Sequence, residues 1–302
     1  MIPMVNAAAK ADKRYTLKIV HDEDSIDPRE DYDNFGKMAC WHSRYNLGDK
    51  HDYHSPDAFL AGLVRGSIPE KDIIAFVKDG KADGLKLVYD KSSREWELQS
   101  YDSYFKKWFG GNTYSSPLEN GSDVLRDDIL DNMASKDLMT LAEKKHIILP
   151  LYLLDHSGLS ISTRDFMDRW DSGQVGWTYA SHDDVIKEYG SVSPENLEKA
   201  EKLLESEVKT YDYYLHGECY GFMLYMNGEI QDSCWGFLGS FQDAREAIRS
   251  YLPEDAVALV NDAEYGDEDE EYGPDDDNRE DEADNGTEDG RQDDAMEMED
   301  DD

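Results

Sequence analysis

The sequence predicts an α+β fold: a mixed, largely antiparallel sheet with flanking helices, followed by a disordered acidic C-terminal tail. Three observations carry this. Strand-like and helix-like segments are mixed without a regular βαβ rhythm. Pairs of alternating segments separated by short turn signals read as hairpins, which join antiparallel neighbours. Residues 262–302 contain 23 Asp or Glu against two basic residues, Arg279 and Arg291, a net of −21 in a chain of −38. That tail has no aromatic residue after Tyr272, so it offers too little apolar surface to offset the entropy of ordering it.

Residues 1–13 read as a flexible leader, and they lack the apolar run of a secretory signal. Tyr15–His21 (YTLKIVH) alternates apolar and polar residues, as a half-buried strand does. A charged loop over 22–33 leads to a second strand, Phe35–His42 (FGKMACWH). Ser55-Pro56-Asp57 opens an amphipathic helix, with Ser as N-cap and Pro at a position that has no hydrogen bond to lose. A short helix is expected over 68–77. Two strands, LKLVYD and EWELQSYD, follow as a hairpin around a Lys-Ser-Ser turn.

The Gly/Ser/Asn-rich segment 110–123 reads as the clearest internal loop. A helix is expected over 127–145, then a buried apolar strand from Ile147 to Asp155, a DHSG turn, the alternating segment LSIST, and RWDSGQVGWTY over 169–179. A short helix spans 182–189. Ser193-Pro194-Glu195 begins a long one, whose apolar positions, from Leu197 to Leu215, recur at spacings of three and four. Two strands meet across Asn227-Gly228, a strong hairpin signal. A last helix, 242–251, stops before Pro253.

The domain reading is therefore a globular α+β domain over 14–261, where any subdivision would fall near 110–123. Outside the tail the chain still carries −17, with 46 acidic and 29 basic residues over 1–261. That charge repels nucleic acid and anionic membrane and attracts basic protein surfaces. A salt-adapted chain would also be acidic, but it would spread the excess rather than concentrate it in one run. The longest apolar run, Ile147 to Leu154, contains Pro150 and is far short of a membrane span. Three cysteines without CxxC spacing, Cys40, Cys219 and Cys234, fit a reducing cytoplasm, where buried thiols pack as small apolar groups. Cys219 and Cys234 lie on the two arms of one expected hairpin, so these thiols could approach one another. A cytoplasmic protein with no membrane segment and no cofactor is expected.

Three constellations are candidates for chemistry. His42, Asp49, His51 and His54, in WHSRYNLGDKHDYH, are residue types that ligate zinc or manganese, though their spacing matches no closed metal site. A surface loop of neutral histidines is the plainer reading. Asp155 and His156, in DHSG at the end of the buried strand, supply parts of a hydrolytic triad together with Ser157. Adjacent residues on an extended segment point to opposite faces, however, and no GxSxG elbow is present. A turn, with Asp155 capping backbone and Gly158 at positive φ, is the plainer reading. Arg169, Trp170, Asp171, Gln174 and Trp177 form the candidate binding segment. Trp and Arg concentrate binding energy, and Gly173 and Gly176 permit tight backbone. The alternative is a glycine turn whose tryptophans fill the core. No basic stripe with interleaved aromatics runs along the chain, so direct nucleic-acid binding is not expected.

YDNFGKMACWHSRYNLGDKH, LPLYLLDHSGLSIST with RWDSGQVGWTYAS, and EVKTYDYYLHGECYGF with DSCWGFLG form an ordered set over most of 15–240. In these blocks the chain resembles an uncharacterised family of bacteriophage and mobile-element proteins. The resemblance implies expression in an infected host and interference with host machinery, and it supplies no catalytic residues. The tail lies outside the blocks. Together these readings lead to a non-enzymatic, acidic, phage-type interaction protein. Its partner would be a host protein with a basic surface that handles nucleic acid, a host-defence protein among the candidates, engaged partly by DNA-like charge mimicry. A small metal-dependent or hydrolytic enzyme using the His42–His54 and Asp155–His156 segments is the alternative, and a virion or assembly protein is a second.

Overall fold

A computed structural model describes residues 15–116 and 122–263. The leader 1–13, the tail beyond Ala263 and residues 117–121 of the 110–123 segment lie outside the described residues. By its internal contacts the chain divides into units 1–267 and 268–302.

The fold is α+β, and every paired strand is antiparallel. In chain order the elements are β1 (Tyr15–His21), α1 (Pro28–Asp31), β2 (Lys37–Cys40), α2 (Pro56–Ser67), α3 (Glu70–Lys78), β3 (Leu85–Asp90), β4 (Glu95–Asp102) and β5 (Lys107–Ser115). Then come α4 (Ser122–Asn132), α5 (Ser135–Ala142), β6 (His146–Asp155), β7 (Leu159–Ser162), β8 (Ser172–Ser181), α6 (His182–Tyr189) and α7 (Pro194–Leu215). β9 (Cys219–Met226), β10 (Glu229–Leu238), α8 (Phe241–Ile248), a 3-10 turn (Arg249–Tyr251) and α9 (Leu259–Asp262) complete it. Among the described residues no helix is long and apolar enough to cross a membrane.

Three sheets organise these elements, in strand orders β2-β8-β6-β7, β1-β9-β10 and β3-β4-β5. The four-stranded sheet is central. Strand alternation sends Ala39, Trp177 and Tyr179 to one face, where they pack with Phe59 of α2 and the apolar sides of α3, α4 and α5. Met38, Leu151, Leu153 and Ile161 point to the other face and meet Val208 and Tyr211 of α7. Both faces are thus covered by helix, so β6 reads as an apolar run rather than an alternation. Gly176 permits the β2–β8 pairing: a Cβ there would sit 2.0 Å from the Ala39 carbonyl oxygen. The β1-β9-β10 sheet packs on α8 and α9 through Phe222, Leu224, Ile248 and Val260. Asn227 and Gly228 turn its hairpin at positive φ, 54° and 86°.

Local signals explain the helices that the sequence places well. Ser55 accepts from the Ala58 amide at 3.1 Å ahead of Pro56, and Ser193 accepts from the Asn196 amide at 3.2 Å ahead of Pro194. Two segments differ from expectation. The helix expected over 127–145 is α4 and α5, broken where Ala134 is extended (φ −63°, ψ 142°), so that Leu125, Ile129, Leu138 and Leu141 all reach one core. The loop expected at 110–123 begins as strand: 110–115 are the second half of β5, paired with β4. At Gly110 the end of the Glu97 side chain lies 2.0 Å from where a Cβ would be, so the carboxylate folds over the glycine across the strands. Its glycine thus marks a close cross-strand contact rather than a loop.

Candidate functional site

β6 ends and β8 begins at the same end of the central sheet, where Leu154 pairs with Ser172. That pairing brings two separately expected segments together. The Asp155 amide donates to the Asp171 carbonyl at 2.8 Å, and the His156 Nδ1 lies 3.0 Å from the Asp171 carboxylate. Asp155 does not orient His156; its carboxylate is ion-paired with Arg44, from the loop after β2. Arg44 in turn lies over the Tyr45 ring, 5.3 Å from its centroid, and Tyr45 stacks on His42 at 5.0 Å. All three candidate segments therefore contribute to one end of the sheet.

The turns here are built by side chains. Asp168 accepts from the Trp170 and Asp171 amides at 2.8 and 3.0 Å, and these bonds hold its carboxyl below the usual range. Gly158 takes φ 150° and Ser157 φ 57°, so the DHSG turn has two positive-φ residues. Trp170 projects from the Asp168 turn with 94% of its surface exposed. Arg169, Asp171 and Gln174 are exposed as well, the Gln174 amide reaching the Gly176 carbonyl at 3.3 Å. Trp177 is separated from them: it stacks on Phe59 at 5.6 Å and meets Trp41 edge-on at 5.9 Å. Of the five residues expected to bind, four face solvent and one holds the core.

His42, Asp49 and His51 line an open cleft of about 1300 Å³, bounded also by Asp27, Arg29 and Tyr214. His54 is exposed and lies outside that lining. Asp49 is engaged by Arg29, which is only 8% exposed and grips both carboxylate oxygens at 2.9 and 3.0 Å. The same guanidinium donates to the Gly36 carbonyl at 2.8 Å and lies 3.6 Å from Glu207 of α7. Glu207 accepts from the Phe35 and Gly36 amides, and burial pushes its carboxyl up from the ordinary value. This network ties α1, β2 and α7 together. The His51 Nε2 lies 3.1 Å from the Cys40 carbonyl, and its Nδ1 is buried without a partner. Among the described residues no three His, Cys, Asp or Glu side chains form a group that could hold a metal ion.

The cysteines are all free thiols. Burial pushes Cys40 and Cys219 up to about 12. Cys219 and Cys234 are not cross-strand partners, because Cys219 pairs with Leu238 and Cys234 with Phe222.

One feature escapes a linear reading. The β4–β5 hairpin exposes Tyr101, Tyr104, Phe105, Trp108 and Phe109 within nine residues. That density was the available signal, but the glycines that follow it read as a loop. Compared with protein-family models, curated proteins and solved structures, the chain matches none.

Proposed function

We propose that the chain is a non-enzymatic interaction protein of the phage or mobile-element type, acting in the host cytoplasm. It would bind and interfere with a host protein that handles nucleic acid, partly by charge mimicry. The observation that carries this reading is Trp170, 94% exposed on a turn braced by its surroundings: Arg44 is ion-paired with Asp155, and the His156 Nδ1 lies 3.0 Å from the Asp171 carboxylate. A tryptophan held in solvent on a braced turn has little to contribute to the fold and much to contribute to an interface. The charge of −38 supplies the complement to a surface built for phosphates.

The hydrolytic reading has the His156–Asp171 pair in its favour. Against it, among the described residues no hydroxyl or thiol hydrogen-bonds the other ring nitrogen of His156. The test is capture of the partner from host lysate by wild type and Trp170→Ala across a salt series. Capture should fall at least tenfold in the variant, about 1.4 kcal/mol. It should also weaken steeply with salt, since exposed charges reach only about 8 Å near 0.15 M. Capture indifferent to both the substitution and salt would reject the reading.

A further inference from the structure

The β3-β4-β5 sheet differs in charge from the rest of the chain. Residues 78–116 contain seven basic and six acidic residues, a net of +1 within a chain of −38. Several of those acids are engaged internally. Asp90 accepts from the Ser92 amide and hydroxyl, Asp102 accepts from the Tyr104 and Phe105 amides, and Glu97 accepts from Gln99 at 2.5 Å. Of the cations, Lys81 is ion-paired with Asp79, but among the described residues Lys91, Arg94, Lys106 and Lys107 enter no ion pair with a carboxylate.

Exposed rings lie on the same sheet, and one cation, Lys86, stands over one of them. Tyr101 pairs with Trp108 across β4 and β5, their ring centroids 5.3 Å apart, and the Lys86 ammonium lies 4.0 Å from the Trp108 ring. Cross-strand register places Lys86, Tyr101 and Trp108 on the face opposite Leu85, Leu87 and Leu98, which pack into the core. At the hairpin tip Tyr104 and Phe105 are 85% and 60% exposed, and Phe105 lies 6.0 Å from Phe109. The Asp102 hydrogen bonds to both tip amides fix the turn that presents them.

We infer that this outer face and hairpin tip bind single-stranded nucleic acid, with unstacked bases laid on Tyr101, Tyr104, Phe105 and Trp108 and phosphates met by Lys86 and Lys106. Lys86 over the Trp108 ring, and Lys106 next in sequence to the exposed Phe105, complement a ligand that is a polyanion and also carries flat apolar faces. A duplex hides those faces, so the single strand is the better match. An apolar protein partner would match the rings and leave the cations unanswered. The acidic body and, by register, Asp90, Glu95 and Glu97 on the same face oppose the contact. Screening near 0.15 M salt limits the reach of the body's charge to about 8 Å, and the strand would lie toward Lys86 and the hairpin tip. The inference goes beyond the proposed protein–protein contact and does not depend on it, since the two use different surfaces.

The test is fluorescence anisotropy of a labelled oligothymidylate of about 20 nucleotides, and of its duplex, titrated with the full chain at about 50 mM salt. Saturable binding to the single strand, weaker binding to the duplex, and quenching of tryptophan fluorescence are expected. The paired substitution Lys86→Glu with Lys106→Glu should weaken binding about tenfold or more, and Trp108→Leu by a similar factor, with circular dichroism unchanged. No binding by the full chain, or binding that both variants leave intact, overturns the inference. Concentration-dependent dimerisation lost in the variants, without oligonucleotide binding, would assign the surface to a protein contact and overturn it too.

Discussion

Trp177 and Trp108 occupy two sheets of one chain and meet opposite fates. Trp177 projects from the central sheet into a cluster with Phe59 and Trp41 beneath α2. Trp108 projects from β5 toward solvent, 41% exposed, with Lys86 for a neighbour. The residue type is the same, and the covering layer differs. A sheet with helices on both faces uses its aromatics for stability. A sheet covered on one face leaves those of the other available for binding.

The largest expected effect tests what holds the covered region. Arg29→Ala removes the cation between Asp49 and Glu207 and leaves two carboxylates without their buried partner. Urea unfolding should show a loss of about 3–5 kcal/mol. A loss below about 1 kcal/mol would mean that water replaces the guanidinium and the network is not structural. Trp177→Ala should cost about 3–5 kcal/mol by the same measurement, because it empties the stack on Phe59. Trp170→Ala should change stability by no more than about 0.5 kcal/mol, as expected of a side chain with few neighbours to lose.

A smaller effect sharpens the account of the network through pH. Glu207 has its carboxyl raised above the ordinary 4.5, chiefly by burial. A raised folded value means that its contribution is fully present below the unfolded value near 4.5. That contribution is lost as pH rises through the folded value. The stability difference between wild type and Glu207→Gln should therefore move in favour of wild type as pH falls from 7 toward 4.5. A difference that is flat across that range would show that Glu207 titrates as it does in the unfolded chain. The smallest effect is kinetic. With Cys40 and Cys219 pushed up to about 12, thiolate is scarce at pH 8, and iodoacetamide should label both far more slowly in the folded chain than in urea. Equal rates in the two states would mean that the strands carrying them open readily.

Much of the fold is legible in the sequence, and its legibility follows from how local each cause is. The starts of α2 and α7 are set by Ser caps and Pro at the first turn, and the β9–β10 hairpin by Asn227-Gly228. β5 is not legible, because Gly110, Gly111 and Asn112 read as a loop and only pairing with β4 makes the segment a strand. The break between α4 and α5 is set by the shared core and carries no Pro or Gly to announce it. The sheet-end site is partly legible. Asp155, His156, Arg169, Trp170 and Asp171 are all residue types that attract notice, but their pairing is decided by register. Asp171 rather than Asp155 meets His156, and Arg44, 111 residues from Asp155, completes the set. The cation–aromatic face of β3-β4-β5 is the least legible feature, since Lys86 and Trp108 become neighbours only through two strand pairings.

The claim that exposed aromatics bind while covered ones hold the fold is tested most directly by measuring partner capture and thermal unfolding side by side for Trp170→Ala. The account predicts a melting temperature within about 2 °C of wild type together with a capture yield reduced at least tenfold, about 1.4 kcal/mol. Full capture with the wild-type melting temperature, or loss of capture only through unfolding, would contradict it.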